Sequence, residues 1–163
     1  MKIIGIDPGL SGAIAVLENN KVLNIFDMPV MSEGKKNKRQ LNSALLVDLI
    51  KENIDSNEEV SVVVEQVNAM PGQGVTSMFN FGQTFGAIKG ICAALELPIF
   101  FVRPSKWKKH FELINSSKDS SRTKAIEMYP KLSNQLAKKK DVNKSDAILI
   151  ARFFSETRLT EEN

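Results

Sequence analysis

The feature that most constrains the fold is a run rich in β-branched residues, which extends from Val60 to Val64 and ends at Glu65. The run does not alternate polar and apolar residues, which is typical of a strand that is buried on both faces. Such strands occur in parallel sheets, whose neighbouring strands need a long and usually helical crossover. Apolar residues at helical spacing from Leu41 to Ile54 predict that crossover helix. The chain is therefore expected to be an α/β protein.

The remaining strands are predicted on both sides of this run. Residues 2–7 and 12–18 predict two strands, and an Asn19-Asn20 turn leads to a third strand over 21–28. Residues 98–102 predict a fifth strand, and the basic segment 31–39 is interpreted as a loop. We therefore expect a five-stranded mixed sheet, an antiparallel meander followed by two parallel strands, flanked by helices.

The predicted helices cover most of the second half of the chain. They are expected at 75–96, after Pro104, at 123–129 and at 143–154. The first of them carries Gly82, Gly86 and Gly90, a stripe that predicts close approach to another element. The interpretation is one domain over residues 1–158, followed by a frayed tail at 159–163.

Composition excludes several classes of site. One cysteine and one histidine provide neither an internal disulfide nor a Cys/His zinc cage. The apolar runs are short, so no membrane span is expected, and the N-terminal residues do not resemble a secretory signal. No small-molecule cofactor is expected. A cytoplasmic protein is predicted, nucleoid-associated and in a bacterium, a phage-infected host or an organelle.

Positive charge is concentrated in two segments. Twelve Lys and Arg stand against four Asp and Glu between residues 103 and 144, and four stand against one between 31 and 39. Such segments suit a polyanion, because contacts to phosphates release counterions. A solvated protein face accounts for them as well. Trp107, among lysines, suggests stacking on bases, although a buried anchor is the alternative.

Three carboxylates end or interrupt apolar elements. Asp7 ends the first strand, Glu65 ends the most apolar strand, and Asp146 lies where the last helix becomes apolar. If the first and fourth strands are parallel neighbours, Asp7 and Glu65 emerge at the carboxyl edge of the sheet, where α/β folds place their sites. Oxygen ligands without histidine or cysteine suit Mg²⁺ or Mn²⁺, and two such ions about 4 Å apart are able to clamp a phosphodiester.

Each carboxylate also has a structural interpretation. Asp7 precedes Pro8-Gly9 and is placed to cap a turn, Glu65 is able to pair with a lysine, and Asp146 is able to favour a helix dipole. Both interpretations stay open at the level of single residues.

Four motifs in order resemble those of RuvC-type Holliday junction resolvases, which have the ribonuclease H-like fold. They are Ile4-Gly5-Ile6-Asp7-Pro8-Gly9 with Gly12, Val64-Glu65-Gln66-Val67, the segment 81–87, and the segment 145–151. Together they cover nearly the whole chain. The stretch from Arg103 to Lys108 is similar to the shorter phage and organelle-like branches of the family.

The resemblance implies a homodimer that cuts four-way DNA junctions with paired symmetric nicks and Mg²⁺, which Mn²⁺ is able to replace. It implies that Asp7, Glu65 and Asp146 are catalytic metal ligands. The family's fourth ligand, an Asp or His, falls at Asn143, which brings an oxygen but no charge. Asp141 is a weaker substitute, because five residues before Asp146 is the wrong helical spacing.

The resemblance also implies a DNA interface. Met70 and Phe79 occupy the place of a wedge that opens the junction. The residues assigned to DNA are Lys35, Lys36, Lys38, Arg39, Met70, Phe79, Gln83, Arg103, Lys106, Trp107, Lys108 and Lys109.

Other functions share parts of this pattern. A ribonuclease H-like nuclease that acts on flaps or RNA would keep the carboxylates. A catalytically weak junction-binding protein is consistent with Asn143. The first motif also resembles the phosphate loop of actin-like ATPases, but that fold duplicates the domain and 163 residues are too few. The Gly72-Gln73-Gly74 segment is a weak nucleotide-loop signal, because Ser77 replaces the third glycine.

Overall fold

The computed structural model describes residues 1–34 and 38–161. Seven strands are numbered in chain order: β1 Lys2–Asp7, β2 Ala13–Glu18, β3 Lys21–Asp27, β4 Val30–Glu33, β5 Lys38–Leu41, β6 Val60–Glu65 and β7 Ile99–Val102. Five α-helices are also numbered in chain order: α1 Ser43–Glu52, α2 Val75–Ala94, α3 Pro104–His110, α4 Ser120–Met128 and α5 Val142–Glu161.

The main sheet has the strand order β3-β2-β1-β6-β7. Strands β1, β2 and β3 pair antiparallel, whereas β6 pairs parallel with both β1 and β7. The sheet and its flanking helices confirm the predicted ribonuclease H-like α/β fold.

Helices cover both faces of the sheet and bury two separate cores. Ile4 and Ile6 of β1 face a core that includes Leu46 of α1 and Ile88 of α2. Ile3 faces the opposite core, which α5 dominates. Because both faces are covered, β6 is buried from Val60 to Val64, as its sequence predicts.

One glycine fixes the distance between β1 and α5. A Cβ atom on Gly5 would lie 2.3 Å from the carbonyl oxygen of Ala147 and 2.8 Å from the Cβ of Ala151. No side chain fits there, so the backbone of α5 crosses directly over β1. Residues 147–151 of α5 are all buried, and Ala147 and Ala151 are the two that lie against Gly5.

The structure corrects the predicted loop at 31–39. Val30–Glu33 and Lys38–Leu41 pair antiparallel and form a second, two-stranded sheet. Its residues are mostly exposed and polar, so they lack the apolar alternation by which strands are recognised in a sequence.

The last helix is longer than predicted. It begins at Val142 and continues to Glu161, so the predicted frayed tail begins inside a helix. Residues 162 and 163 lie outside the described part of the chain. No helix among the described residues is long and apolar enough to cross a membrane.

Candidate active site

Asp7 and Glu65 stand side by side at one edge of the main sheet. The parallel register pairs Ile6 with Val64, and the two acids are the next residues on their strands. The chain returns close to Asp7 at Gly12, where a Cβ would lie 2.1 Å from the carbonyl oxygen of Asp7, so only glycine permits this approach. The prediction that these acids emerge at the same edge therefore holds in the structure.

Asp146 reaches the same edge from the helix above. It directly precedes Ala147, whose carbonyl lies over Gly5. The crossing of α5 over β1 therefore sets Asp146 beside the end of that strand, and its charge acts on Asp7. The three predicted acids come from three different elements and meet at one site.

Burial and mutual repulsion change the protonation of these acids. Burial, Glu65 and Asp146 together raise the pKa of Asp7 to about 7. Burial and Glu65 raise the pKa of Asp146 to about 6. Burial also raises the pKa of Glu65, and a hydrogen bond from Trp107 opposes that rise. The site is thus a group of acids that are costly to ionise together.

Little positive charge compensates these acids. Of the residues that the structure describes, none forms an ion pair with Asp7, Glu65 or Asp146. Lys108 of α3 lowers the pKa of all three from a longer distance. The assignment of Lys108 as a phosphate contact stays a prediction, and the structure places its charge near the three carboxylates.

The hydroxyl of Ser121 is a neighbour of Asp146 that the sequence did not reveal. It is buried on α4 and has no hydrogen bond of regular geometry within the described chain. It lies close enough to Asp146 to lower the pKa of that carboxyl. The hydroxyl dipole of Ser121 therefore acts on the charge of Asp146. The sequence indicates its burial only weakly. Ser121 lies one helical turn before the buried Ala125, and this spacing puts both on the same face of α4.

The donor set fits a hard divalent cation. Within residues 1–34 and 38–161, no three His, Cys, Asp or Glu side chains form a ready-made metal cage. The carboxylates nevertheless converge, repel one another and lack an ion-pair partner, and a divalent cation relieves that repulsion. Asp7, Glu65 and Asp146 would hold it.

Asn143 is the nearest candidate for a fourth, neutral ligand. It lies one turn before Asp146 and lines the same cavity of about 300 Å³. Its side-chain amide donates a hydrogen bond of 2.5 Å to the carbonyl of Ser11. This leaves the amide oxygen as the atom with which Asn143 would bind a cation.

Asp141 does not belong to this site, which corrects its assignment as a ligand. Its carboxylate accepts hydrogen bonds from the backbone of Lys138 at 2.9 Å and from the ammonium of Lys144 at 3.3 Å. Both oxygens are used to close the turn that leads into α5, and the side chain is buried there. Asp141 is a structural cap.

Trp107 is buried and presents no surface to DNA, which corrects its assignment as a DNA contact. Its side chain has no exposed surface, and its indole N–H donates a 2.8 Å hydrogen bond to Oε1 of Glu65. Of the two neighbouring lysines, Lys106 is exposed, whereas the ammonium of Lys108 lies 5.3 Å from the centre of the Trp107 ring. The alternative interpretation, a buried anchor, is the right one.

Three of the predicted DNA contacts share a cleft. Lys38 and Arg39 of β5 line one side of a cavity of about 370 Å³, and Gln83 of α2 lines the other. Thr76 and Asn80 of α2 also line it, and no motif or charge pattern indicated these two residues. Arg39 donates a hydrogen bond of 3.3 Å to the hydroxyl of Ser11, in the loop that follows Asp7. The cleft therefore adjoins the carboxylates.

The other predicted DNA residues lie at separate places. Arg103 and Lys106 line a groove beside the exposed Phe100 and Phe101 of β7. Met70 and Phe79 are 60% and 64% exposed, as a wedge requires. Lys109 is exposed on α3. Lys35 and Lys36 lie outside the described residues.

A match to a family model over most of the chain identifies the protein family. Residues 3–153 match the family described as Crossover junction endodeoxyribonuclease RuvC. The chain belongs to the RuvC family. RuvC proteins are hydrolases that cut the phosphodiester backbone at DNA junctions, and RuvC-like nucleases use divalent metal ions. A comparison with curated proteins finds no match.

Solved structures of RuvC proteins share the fold. Thermus thermophilus RuvC in complex with a Holliday junction substrate aligns with a TM-score of 0.64 at 16% identity, over 98% of this chain and 96% of that one. A second Thermus thermophilus RuvC structure gives 0.56 at 18% identity, over 97% of both chains. The fowlpox virus Holliday junction resolvase gives 0.51 at 18% identity, over the full length of both chains. The predicted likeness to the phage-like branch stays a prediction.

Proposed function

We propose that this RuvC protein resolves four-way DNA junctions by paired symmetric nicks, with two Mg²⁺ ions at each active site and Mn²⁺ as a substitute. One observation supports this most strongly. Asp7, Glu65 and Asp146 converge from three elements at the carboxyl edge of the sheet and have no ion-pair partner in the described chain. A purely structural cluster would be neutralised by lysine or arginine.

The residues of the site have different proposed roles. Divalent cations bound there supply an activated water and neutralise charge on the scissile phosphate. Asp7, Glu65 and Asp146 provide charged oxygens, and the amide oxygen of Asn143 provides a neutral one. Lys108 faces the same edge and would hold the phosphate that is cut. The raised pKa values of the three acids indicate that ionising them together is costly. A bound cation therefore stabilises the cluster most when all three are ionised.

A synthetic four-way junction tests the function directly. The junction is incubated with and without Mg²⁺, and both strands are labelled so that each nick is located. Nicks at symmetric positions, only with Mg²⁺, are the expected result. Flap, duplex and RNA–DNA substrates run in parallel, and preferred cutting of any of these would overturn the proposal.

The cleft between β5 and α2 is proposed to hold DNA backbone. Lys38 and Arg39 provide two charges, and Gln83 and Asn80 provide hydrogen-bond donors on the opposite wall. Phosphate contacts fix the register of a protein on DNA, and each one contributes to the salt dependence of binding.

Replacing Lys38 and Arg39 together with alanine is expected to weaken junction binding and to flatten its salt dependence. Two lost phosphate contacts should reduce the slope of log affinity against log salt by about 2. Fluorescence anisotropy over a salt series measures it. The matched control is Lys21→Ala with Lys51→Ala, because both lysines are exposed near the opposite edge of the sheet. Equal slopes for the two double variants would refute the cleft as a phosphate site.

The exposed face of α2 is proposed as the dimer interface. Cβ atoms placed on Gly82, Gly86 and Gly90 would meet no atom within 4 Å. The predicted close approach therefore does not occur inside one described chain. A stripe without side chains suits a second copy of the helix, because two backbones are able to approach closely there. A C₂ dimer also provides the two active sites that paired nicks need.

Gly86→Glu is expected to convert the dimer to a monomer without loss of folding. The new side chain has room within one chain, but it places a charge between the two helices. Sedimentation velocity measures the change, and junction cutting should lose its strand symmetry. Ala44→Glu, which adds the same charge on an exposed face of α1, is the control. A wild-type monomer on a bound junction would contradict the dimer.

A further inference from the structure

One hydrogen bond links the buried core to the carboxylate cluster. The indole N–H of Trp107 donates to Oε1 of Glu65 at 2.8 Å. Trp107 is fully buried, and it packs among Val63, Val102 and Phe111 in the core beneath α5. Trp107 also lines the cavity beside Asp146, and its contacts with the core hold the donor in place.

The bond constrains Glu65 more than Trp107. A glutamate has three rotatable side-chain bonds, and Glu65 ends its strand at the open edge of the sheet. No other hydrogen bond to its carboxylate is present among residues 1–34 and 38–161. An indole N–H only donates, so it leaves the second oxygen, Oε2, available to a cation. It also adds no charge that would compete with the cation.

From this geometry we propose that Trp107 is a positioning residue, which orients Glu65 so that Oε2 is presented to the divalent cation. The proposal rests on the proposed metal-dependent function and deepens it. Residues that hydrogen-bond a metal ligand from behind restrict its rotamers before the metal arrives. Here the rigid support is an aromatic side chain of the core rather than another polar group at the surface.

The substitution Trp107→Phe tests the bond. Phenylalanine keeps an aromatic ring in the core but removes the N–H donor. Loss of such a support is expected to weaken metal affinity by about 10-fold or more. Titration calorimetry with Mn²⁺ alone, without DNA, measures the affinity. Cleavage should need correspondingly more Mg²⁺ to reach half its maximal rate, and the rate at saturating Mg²⁺ should largely recover.

Phe111→Leu is the matched control for loss of packing. Phe111 is buried one turn after Trp107 and belongs to the same core, but it makes no hydrogen bond to the carboxylates. A purely structural role for Trp107 predicts equal metal affinity for both variants, and that result would overturn the proposal. Wild type that binds no Mn²⁺ and cuts no junction would instead overturn the proposed function itself.

The fluorescence of wild type gives a second measurement that does not depend on a variant of Trp107. Trp107 is the only tryptophan of the chain, so tryptophan emission reports the surroundings of this indole, which include its bond to Glu65. Saturating Mg²⁺ is expected to shift that emission, because the cation withdraws charge from the carboxylate that the indole contacts. In Glu65→Ala the shift should disappear. An emission that saturating Mg²⁺ leaves unchanged in wild type, while Mn²⁺ binding is intact, would refute the proposal.

Discussion

Asp7→Asn should abolish junction cleavage and leave junction binding nearly unchanged. The substitution removes one charge from the centre of the cluster, where Asp7 feels both Glu65 and Asp146. Metal-assisted charge stabilisation contributes several kcal/mol, and each 1.36 kcal/mol is a factor of ten in rate, so we expect a loss of about a thousandfold or more. Binding should persist because the proposed phosphate contacts lie on β5 and α3.

The fold should survive this change, because asparagine has nearly the shape of aspartate. The backbone N–H of Gly9 donates to Oδ1 of Asp7 at 3.4 Å, and an asparagine oxygen accepts the same bond. Asp27→Asn is the control, since Asp27 ends β3 at the same sheet edge but has a side chain that is 80% exposed. Single-turnover cleavage and gel-shift binding are compared for both. Parent-like cutting by Asp7→Asn would show that the active site lies elsewhere.

The carboxylate cluster was predictable because each of its acids interrupts an apolar pattern. Asp7 and Glu65 each follow a run of buried strand residues, and parallel pairing then forces them to one edge. Asp146 precedes five buried residues of α5. A charge at the boundary of a core element is visible in a sequence, since the element itself is recognisable from its apolar residues.

The direction in which a side chain points was less predictable than its position. Trp107 stands among lysines, and that context favoured DNA. Its partner at helical spacing is Phe111, four residues later, and both are buried. An apolar pair one turn apart is the better signal, because it marks the buried face of α3, whereas the charge of sequence neighbours does not indicate which face a residue occupies.

Elements without a buried face were not predictable. Strands β4 and β5 are four residues each and mostly exposed, so no hydrophobic period marks them. The glycine stripe of α2 predicted close approach to another element, but no partner for it lies inside the described chain, and a partner copy stays a proposal. In both cases the structure depends on contacts outside the core, and such contacts leave no hydrophobic pattern in the sequence.

The stability of the metal-free protein is expected to fall as the pH rises from about 4 to about 7. The pKa of Asp7 in the folded protein is raised from 3.8 to about 7, so the folded state binds this proton more tightly than the unfolded state. Stabilisation from that proton is complete below the unfolded pKa and is lost as the pH rises through the folded pKa. Asp146, raised from 3.8 to about 6, acts in the same direction.

The difference between Asp7→Asn and wild type isolates this effect from the other titrating groups. In EDTA the variant should equal wild type near pH 4, where both carry a neutral group at position 7. Above pH 7 it should be more stable by about 2–4 kcal/mol, because one pKa unit corresponds to 1.36 kcal/mol and the three acids share their repulsion. Urea unfolding over a pH series measures both curves. Asp48→Asn, which removes an exposed acid of α1, is the control and should follow wild type.

Added Mg²⁺ should reverse the order of the two proteins at pH 8. Wild type gains stability from a cation that binds only the folded state, and the gain grows with the logarithm of the Mg²⁺ concentration. Asp7→Asn lacks the central ligand and should gain much less. The same three carboxylates would thus account for lower stability without metal and for the proposed activity with it, since their repulsion is the free energy that a cation relieves. Wild type that is insensitive to both pH and Mg²⁺ would show that these acids neither repel one another nor bind a cation.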